Sequence, residues 1–134
     1  MQCIFCKIVK GEIPSYKVFE DDKCLAFLDI NPIRPGHALL IPKDHHTDLL
    51  DTPDEILGHL IKIGKKVSKV VMDATLSEAF NFTTNNGEAS GQDIFHLHFH
   101  IIPRSSSKEL SSWPHRKYKE GEAEQILEKI KAKF

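Results

Sequence analysis

Three histidines alternate with apolar residues in the segment His96-Leu97-His98-Phe99-His100-Ile101-Ile102-Pro103. A period of two is typical of a β-strand with two different faces, so the histidines would point to one side and the apolar residues to a core. Neighbouring imidazoles would then lie about 6.6 Å apart along the strand. A row of imidazoles can attack an electrophile, bind a metal ion or transfer protons.

Three interpretations of this row are open. It could be the polar outer face of a half-buried sheet, although three histidines at strict alternation are rare by chance. It could be a metal site, although His96 and His100 would lie about 13 Å apart, too far to share one ion. It could be a catalytic site, in which one neutral imidazole attacks while its neighbours orient it and handle charge. The spacing favours the catalytic interpretation.

The same segment resembles the His-φ-His-φ-His-φ-φ motif of the histidine triad (HIT) family, in which φ is an apolar residue. Members of that family are mostly nucleotidyl hydrolases and transferases that act on the α-phosphate of nucleotides. Further resemblances follow in the family's order at residues 3–8, 36–37, 41–45, 85–87 and 91–92. Together they cover roughly residues 3–104, and their combination is far more specific than any one of them.

The resemblance implies an enzyme that forms a nucleotidyl-histidine intermediate and releases a nucleoside monophosphate. His98 would attack the α-phosphorus, and one nitrogen of its ring should donate to a backbone carbonyl so that the other is free. The other catalytic residues that it implies are His96, His100 and His37. A purine nucleotide is the expected substrate.

The resemblance also implies how that nucleotide binds. Asp29 would accept hydrogen bonds from the ribose hydroxyls, although a turn-forming role for it stays open. Side-chain amides would hold the phosphate, and an apolar slot, which could equally be ordinary core, would hold the base. The phosphate-binding residues are Asn85 and Gln92, and the slot residues are Ile4, Phe5, Ile8, Phe27 and Leu28. Asp93 departs from the serine of many eukaryotic members, because an ionised carboxylate cannot donate to a phosphate oxygen.

Cys3 and Cys6 form a CxxC pair, which by spacing is half of a zinc site and, taken alone, is also typical of redox pairs or simple thiols. There is no second CxxC, so histidines would have to complete the site. The resemblance to bacterial and archaeal members with this pair implies the ligand set Cys3, Cys6, His45 and His96. A closed set of this kind would hold one structural Zn²⁺ per chain.

The resemblance leaves two candidate substrate classes, nucleoside phosphoramidates and dinucleoside polyphosphates. They differ mainly in their leaving group. A polyphosphate needs cationic partners, which Lys43 and Arg104 could supply. An amine needs a proton donor, and His96 is a weaker candidate if it holds zinc. The sequence slightly favours broad nucleotidyl hydrolysis with adenosine as the nucleoside. The alternatives are a nucleotide-binding interaction protein with little turnover and a zinc hydrolase.

Composition limits the class of protein. The chain has 134 residues, a formal net charge of −1, 40% hydrophobic residues and 28% charged residues. These values are typical of one soluble domain and do not favour binding to nucleic acid or membranes. We find no signal peptide and no apolar run of about 20 residues, so a cytoplasmic location is expected.

The patterns predict an α+β fold, a HIT-like and mainly antiparallel sheet of about five strands with one long helix and a C-terminal helix. The strands are expected at residues 16–20, 24–28, 37–41 and 78–84 and in the histidine segment. One domain would span residues 1–134, with a core at about 3–104 and a tail and helix at 105–134. The resemblance implies a homodimer.

Both helices have a predicted start and a predicted buried face. The long helix should begin at Pro53 with Thr52 as its cap and Glu55 closing a capping box, and should run to about Met72. The C-terminal helix should span residues 120–134. The apolar stripe of the first is Ile56, Leu60, Ile63, Val67 and Val70, and that of the second is Ile126, Leu127, Ile130 and Phe134.

Overall fold

A five-stranded antiparallel sheet with strand order β1-β2-β3-β5-β4 forms the centre of the computed structural model. The structure describes residues 2–110 and 113–134; Met1, Ser111 and Ser112, which belong to the predicted domain and tail, lie outside the described residues. In chain order the elements are α1 (Ile4–Val9), β1 (Lys17–Glu20), β2 (Cys24–Leu28), β3 (Ala38–Pro42), α2 (Asp54–Thr75), β4 (Ala79–Thr83), β5 (Phe99–Arg104) and α3 (Glu122–Lys131). Short 3₁₀ turns lie at Glu88–Ser90 and Ser107–Glu109. The predicted α+β class and strand number are confirmed.

The sheet separates two apolar clusters, because successive side chains of β2 and β3 point to opposite faces. Ala26 and Leu40 face α2, where Leu60 and Val67 meet them. The side chains between them face α1 and form the second cluster, whose buried members are Phe5, Ile8, Leu25, Phe27, Leu39 and Ile41. β2 and β3 are therefore buried on both faces, and the short helix α1 covers the face opposite α2.

The histidine segment keeps its alternation, although regular strand pairing begins only at Phe99. Leu97, Phe99 and Ile101 are buried in the cluster that faces α2. Before Phe99 the backbone bonds to neighbouring loops: Leu97 N donates to the carbonyl of His46 at 2.7 Å, and the hydroxyl of Thr84 donates to the carbonyl of His98 at 2.8 Å. The prediction of two distinct faces is thus confirmed, but the strand starts later than predicted.

The long helix α2 begins at Asp54 and ends at Thr75, but its predicted cap is wrong. The Thr52 hydroxyl donates to the carbonyl of Asp48 at 2.7 Å, so it does not cap the helix. Glu55 lies 3.6 Å from the ammonium group of Lys23 instead of closing a capping box. The helix packs closely on β4, because a Cβ at Gly64 would lie 2.6 Å from the ring of Phe82.

The predicted apolar stripes need two corrections. In α2, Val71 is buried and Val70 is 52% exposed, because a period of 3.6 residues moves the buried face by one position over the length of the helix. In α3 the predicted buried stripe is wrong: Ile126, Leu127, Ile130 and Phe134 are all exposed within this chain. An amphipathic pattern predicts a face but does not identify what covers it. Within the described residues, no helix is long and apolar enough to cross a membrane.

Candidate active site and metal site

A cavity of about 370 Å³ opens on the side of the sheet that carries α1. Its apolar wall contains all five predicted slot residues: Ile4, Phe5, Ile8, Phe27 and Leu28. Asp29, His98 and His100 line the same cavity. The carboxylates of Asp29 and Asp93 and two imidazoles therefore share an otherwise mostly apolar site.

Hydrogen bonding fixes the tautomer of the buried His98. Its Nδ1 lies 2.8 Å from the carbonyl oxygen of His96, which can only accept, so Nδ1 donates. In the neutral ring the lone pair then lies on Nε2. The ring of Phe5 packs edge-on against His98 with the centroids 5.2 Å apart, which restricts the orientation of the imidazole.

A second chain of hydrogen bonds, which runs through His37, fixes the tautomer of His100. The backbone N–H of Ile33 donates to Nδ1 of His37 at 3.1 Å, so the proton of the neutral His37 ring is on Nε2. That Nε2 lies 2.9 Å from Nδ1 of His100 and donates to it. The His100 proton is consequently on Nε2, which makes its free edge a hydrogen-bond donor, whereas the free edge of His98 carries a lone pair.

Burial favours the neutral form of His37, His96 and His100 by lowering their pKa values. Desolvation lowers the pKa of His100 to about 4, with further lowering from the neighbouring His98 and His37. Burial also lowers the pKa of His37, although the carboxylate of Asp29 opposes this. The pKa of His96 falls to about 4, chiefly because of burial. Neutral rings suit nucleophilic attack, hydrogen-bond donation and metal binding.

Asp29 follows β2 and has a structural contact in addition to its position at the cavity. Its Oδ1 accepts a hydrogen bond from the backbone N–H of Asn31 at 2.8 Å, and its Oδ2 lies 3.7 Å from Nε2 of His37. The turn-forming role left open by the sequence is therefore present, and the carboxylate still lines the cavity.

Four potential metal ligands meet between α1, the chain after β3 and the start of the histidine segment. The thiol and imidazole atoms of Cys3, Cys6, His45 and His96 all lie within 4.8 Å of one another. His96 Nδ1 is 3.5 Å from Cys3 Sγ and 3.2 Å from His45 Nδ1, and Cys6 Sγ is 3.4 Å from His45 Nδ1. Zinc–ligand bonds of about 2.3 Å to sulfur and about 2.0 Å to nitrogen give S–N and N–N separations of about 3.3–3.5 Å in a tetrahedron.

The surroundings of His96 also fit a metal ligand. Its Nε2 lies 2.8 Å from the carbonyl oxygen of Pro42 and donates to it, so Nδ1 points a lone pair at the cluster. A second hydrogen bond of this kind is the usual way in which a protein orients a metal-binding histidine. The donor set and its spacing are therefore compatible with zinc.

Comparison with known proteins identifies the family. The HIT domain family model matches residues 10–107. This chain belongs to the HIT family.

The curated HIT relatives include proteins with enzyme names. The chain is 48% identical over 102 residues to adenylylsulfatase HINT3 of Arabidopsis thaliana, an alignment that covers 76% of this chain and 52% of the relative. It is 45% identical over 114 residues to adenosine 5′-monophosphoramidase HNT1 of Saccharomyces cerevisiae, covering 84% of this chain and 70% of the relative. The chain thus spans about half the length of the first relative.

Two solved HIT structures match nearly the whole chain. A family member from Bacillus subtilis superposes with a TM-score of 0.89 at 36% identity and covers 100% of this chain and 98% of that one. A zinc-bound histidine triad protein from Mycobacterium smegmatis gives a TM-score of 0.79 at 32% identity, with coverage of 100% and 99%.

Two predicted phosphate ligands of this HIT domain lie apart from the cavity wall. Gln92 is 4% exposed, and its amide donates to the carbonyls of Thr47 at 2.8 Å and Ile94 at 3.1 Å. Its side-chain oxygen accepts from the backbone N–H of Gly87 at 2.8 Å, so the amide anchors the loop. Asn85 is exposed in the same loop. Gln92 therefore anchors the loop before the histidine segment, and neither amide is among the residues that line the cavity.

The two cations considered for a polyphosphate are paired elsewhere. Lys43 lies 2.8 Å from Oε2 of Glu20, and Nε of Arg104 donates to the side chain of Asn81 at 2.9 Å. Neither lines the cavity beside His98. The hydrogen bond from Ile33 to His37 could not be predicted from the sequence, because its donor is a backbone N–H that any residue type other than proline supplies.

Proposed function

We propose that this HIT protein hydrolyses nucleotides at the α-phosphate through a nucleotidyl intermediate on Nε2 of His98. The carrying observation is the hydrogen bond from His98 Nδ1 to the carbonyl of His96, which leaves Nε2 with a lone pair. The names of the relatives, a phosphoramidase and an adenylylsulfatase, support nucleotide hydrolysis as the class of reaction. The preferred substrate is an adenosine 5′-phosphoramidate or a related adenylyl compound.

The cavity offers a place for each part of a nucleoside monophosphate. A purine ring fits the wall formed by Ile4, Phe5, Ile8, Phe27 and Leu28, and burial of its faces would be favourable. The carboxylate of Asp29 can accept hydrogen bonds from both hydroxyls of a ribose. The α-phosphate then lies beside His98 and His100.

The reaction would take two displacements. Nε2 of His98 forms a bond to phosphorus while the bond to the leaving group breaks, and the leaving group departs with its electron pair and takes a proton. Water then forms a bond to phosphorus, the bond to Nε2 breaks, and His98 recovers its lone pair while the proton of water passes to solvent. Covalent catalysis replaces one difficult step by two easier ones.

His100 would act as a hydrogen-bond donor in both steps. Its Nε2–H, fixed by the contact between His37 and His100, can donate to a non-bridging oxygen whose charge increases in the transition state. Asn85 and Gln92, the other phosphate ligands implied by the family resemblance, would contribute mainly through the position of their loop.

We also propose that Cys3, Cys6, His45 and His96 hold one structural zinc ion. Its role would be to fix α1, which carries part of the base-binding wall, against the histidine segment. No step of the reaction requires it. A homodimer is the proposed assembly, as the family resemblance implies.

Rapid-quench kinetics with a labelled adenosine 5′-phosphoramidate test the proposed function. A burst of amine release equal to the enzyme concentration should precede steady turnover, and acid-labile label should remain on the protein. His98→Ala should lose both while still binding AMP, with Glu128→Gln on the exposed helix α3 as the matched control. Retained turnover in His98→Ala would refute the covalent mechanism, and stoichiometric AMP binding without any turnover would favour the interaction protein.

A further inference from the structure

A second groove begins where the nucleotide cavity ends. It has a volume of about 460 Å³, and three of its wall residues, Ile4, Asp93 and Ile94, also line the nucleotide cavity. Its remaining wall residues are Gln2, Cys3, His45 and Phe95. Because Asp93 and Ile94 line the nucleotide cavity together with His98 and His100, the groove adjoins the place proposed for the α-phosphate, and a leaving group can extend into it.

The charged side chains that line the groove and the nucleotide cavity are acidic. Among the residues that line the two cavities in the described part of the chain, the charged side chains are the carboxylates Asp29 and Asp93, and no lysine or arginine is present. Asp93 is near enough to the catalytic rings to oppose the lowering of the His100 pKa. A polyphosphate leaving group would therefore meet a carboxylate and no lysine or arginine side chain among the lining residues.

The rest of the groove is apolar. Ile4, Ile94 and the ring of Phe95 line it, and Phe95 is 47% exposed. An aliphatic or aromatic body could cover these side chains, since apolar surface removed from water is stabilised. A positive charge on the same body would be attracted by Asp93, with an energy moderated by solvent because the carboxylate is exposed.

We propose that Asp93 is a specificity-determining residue that selects cationic leaving groups, so that the substrates are nucleoside phosphoramidates of amines with a second positive charge. This inference rests on the proposed function and narrows its substrate class. The phosphorus–nitrogen bond breaks with its electron pair on the amine nitrogen, which takes a proton from solvent in the open groove, while the bond from Nε2 of His98 to phosphorus forms. The second amino group, which is protonated at neutral pH, stays beside Asp93.

The effect of the second positive charge can be measured with two substrates of equal length that differ only at the free end of the amine. In both compounds the phosphorus of AMP is bonded to an amine nitrogen. The amine is either 1,5-diaminopentane, whose free end is cationic, or 5-aminopentanol, whose free end is neutral. The wild-type protein should show a kcat/KM about fivefold higher for the cationic compound, and high salt should reduce this preference. Diadenosine polyphosphates should be poorer substrates than both.

Asp93→Asn keeps the shape of the side chain and removes its charge. This variant should hydrolyse the two phosphoramidates at rates within about twofold of each other and should gain activity on diadenosine polyphosphates. Glu88→Gln is the matched control, because it removes an exposed charge from the same loop outside both cavities, and it should keep the wild-type preference. Melting temperatures of both variants establish that they are folded.

The outcomes separate this inference from the proposed function. Two results would overturn the role of Asp93 alone. One is hydrolysis with a burst but with no preference for the cationic compound, and the other is a preference that persists in Asp93→Asn. Absence of turnover on both phosphoramidates would overturn the proposed function and this inference with it.

Discussion

The histidines of the site differ in what their hydrogen bonds allow them to do. His98 has a free lone pair because its other nitrogen donates to a carbonyl, whereas His100 presents an N–H because its other nitrogen accepts from His37. The distinction originates at the backbone N–H of Ile33, which requires His37 to accept on Nδ1. Two neighbouring imidazoles of the same residue type thus present a lone pair in one case and a hydrogen-bond donor in the other.

The buried neutral state of His100 predicts a pH dependence of stability. Its pKa is about 4 in the folded protein and near its usual value, about 6.5, in the unfolded chain. Between those values the unfolded chain binds more protons, so the free energy of unfolding falls as the pH falls from about 6.5 to about 4. Above that window His100 is neutral in both states and contributes no such dependence.

Comparing the pH dependence of stability in the wild type and in His100→Asn separates the contribution of His100 from those of the other histidines. Urea unfolding of both proteins between pH 7.5 and pH 4.5 should show the stability of the wild type decreasing relative to the variant as the pH falls. Contributions that are common to both proteins cancel in the difference. A difference that stays constant over the window would contradict the burial of a neutral His100.

The short helix α1 would depend on the proposed metal site for its position. It has six residues, fewer than an isolated helix needs, and it begins immediately after Cys3. Protein purified without added metal should contain about one zinc ion per chain, and Cys3→Ser should lose the ion and melt at a lower temperature. Cys24→Ala changes the third cysteine, which lies outside the cluster, and should keep the zinc. Unchanged stability in the metal-free protein would count against a structural site.

Close packing between α2 and β4 predicts that a larger side chain at Gly64 is unfavourable. Gly64→Ala should destabilise the protein by about 1–3 kcal/mol, because a new Cβ would meet the ring of Phe82 at 2.6 Å. Gly58 lies in the same helix with open space around it, so Gly58→Ala should stabilise by up to about 1 kcal/mol. Chemical denaturation measures both changes, and equal effects of the two substitutions would contradict the packing.

Periodicity predicted the elements better than it predicted their ends and their partners. Alternation at residues 96–103 identified both faces of the segment, because side-chain direction follows directly from the backbone. It could not identify the start at Phe99, since the earlier backbone groups bond to loops that come together only in the fold. The predicted cap at Thr52 failed for a related reason, because the carbonyl of Asp48 accepts the hydrogen bond of its hydroxyl.

At the level of the whole molecule, the C-terminal helix leaves an apolar face without cover from its own chain. Ile126, Leu127, Ile130 and Phe134 range from 41% to 106% exposed. A shallow groove of about 390 Å³ lies along Ile126, Ile130 and Phe134. Its sequence pattern predicted burial, and a second copy of the chain would supply it. The homodimer that the family resemblance implies therefore has a candidate contact surface on α3.

The assembly can be tested by its concentration dependence. Analytical ultracentrifugation should give twice the chain mass of 15.2 kDa at micromolar concentration. The double substitution Ile126→Glu and Ile130→Glu places two charges on the apolar face and should shift the protein toward the monomer, because desolvating a carboxylate is costly. Glu128→Gln, on the opposite side of the helix, should remain dimeric. A wild-type protein that is monomeric at these concentrations would refute the homodimer, whereas a dimer unaffected by the double substitution would place the interface elsewhere than on α3.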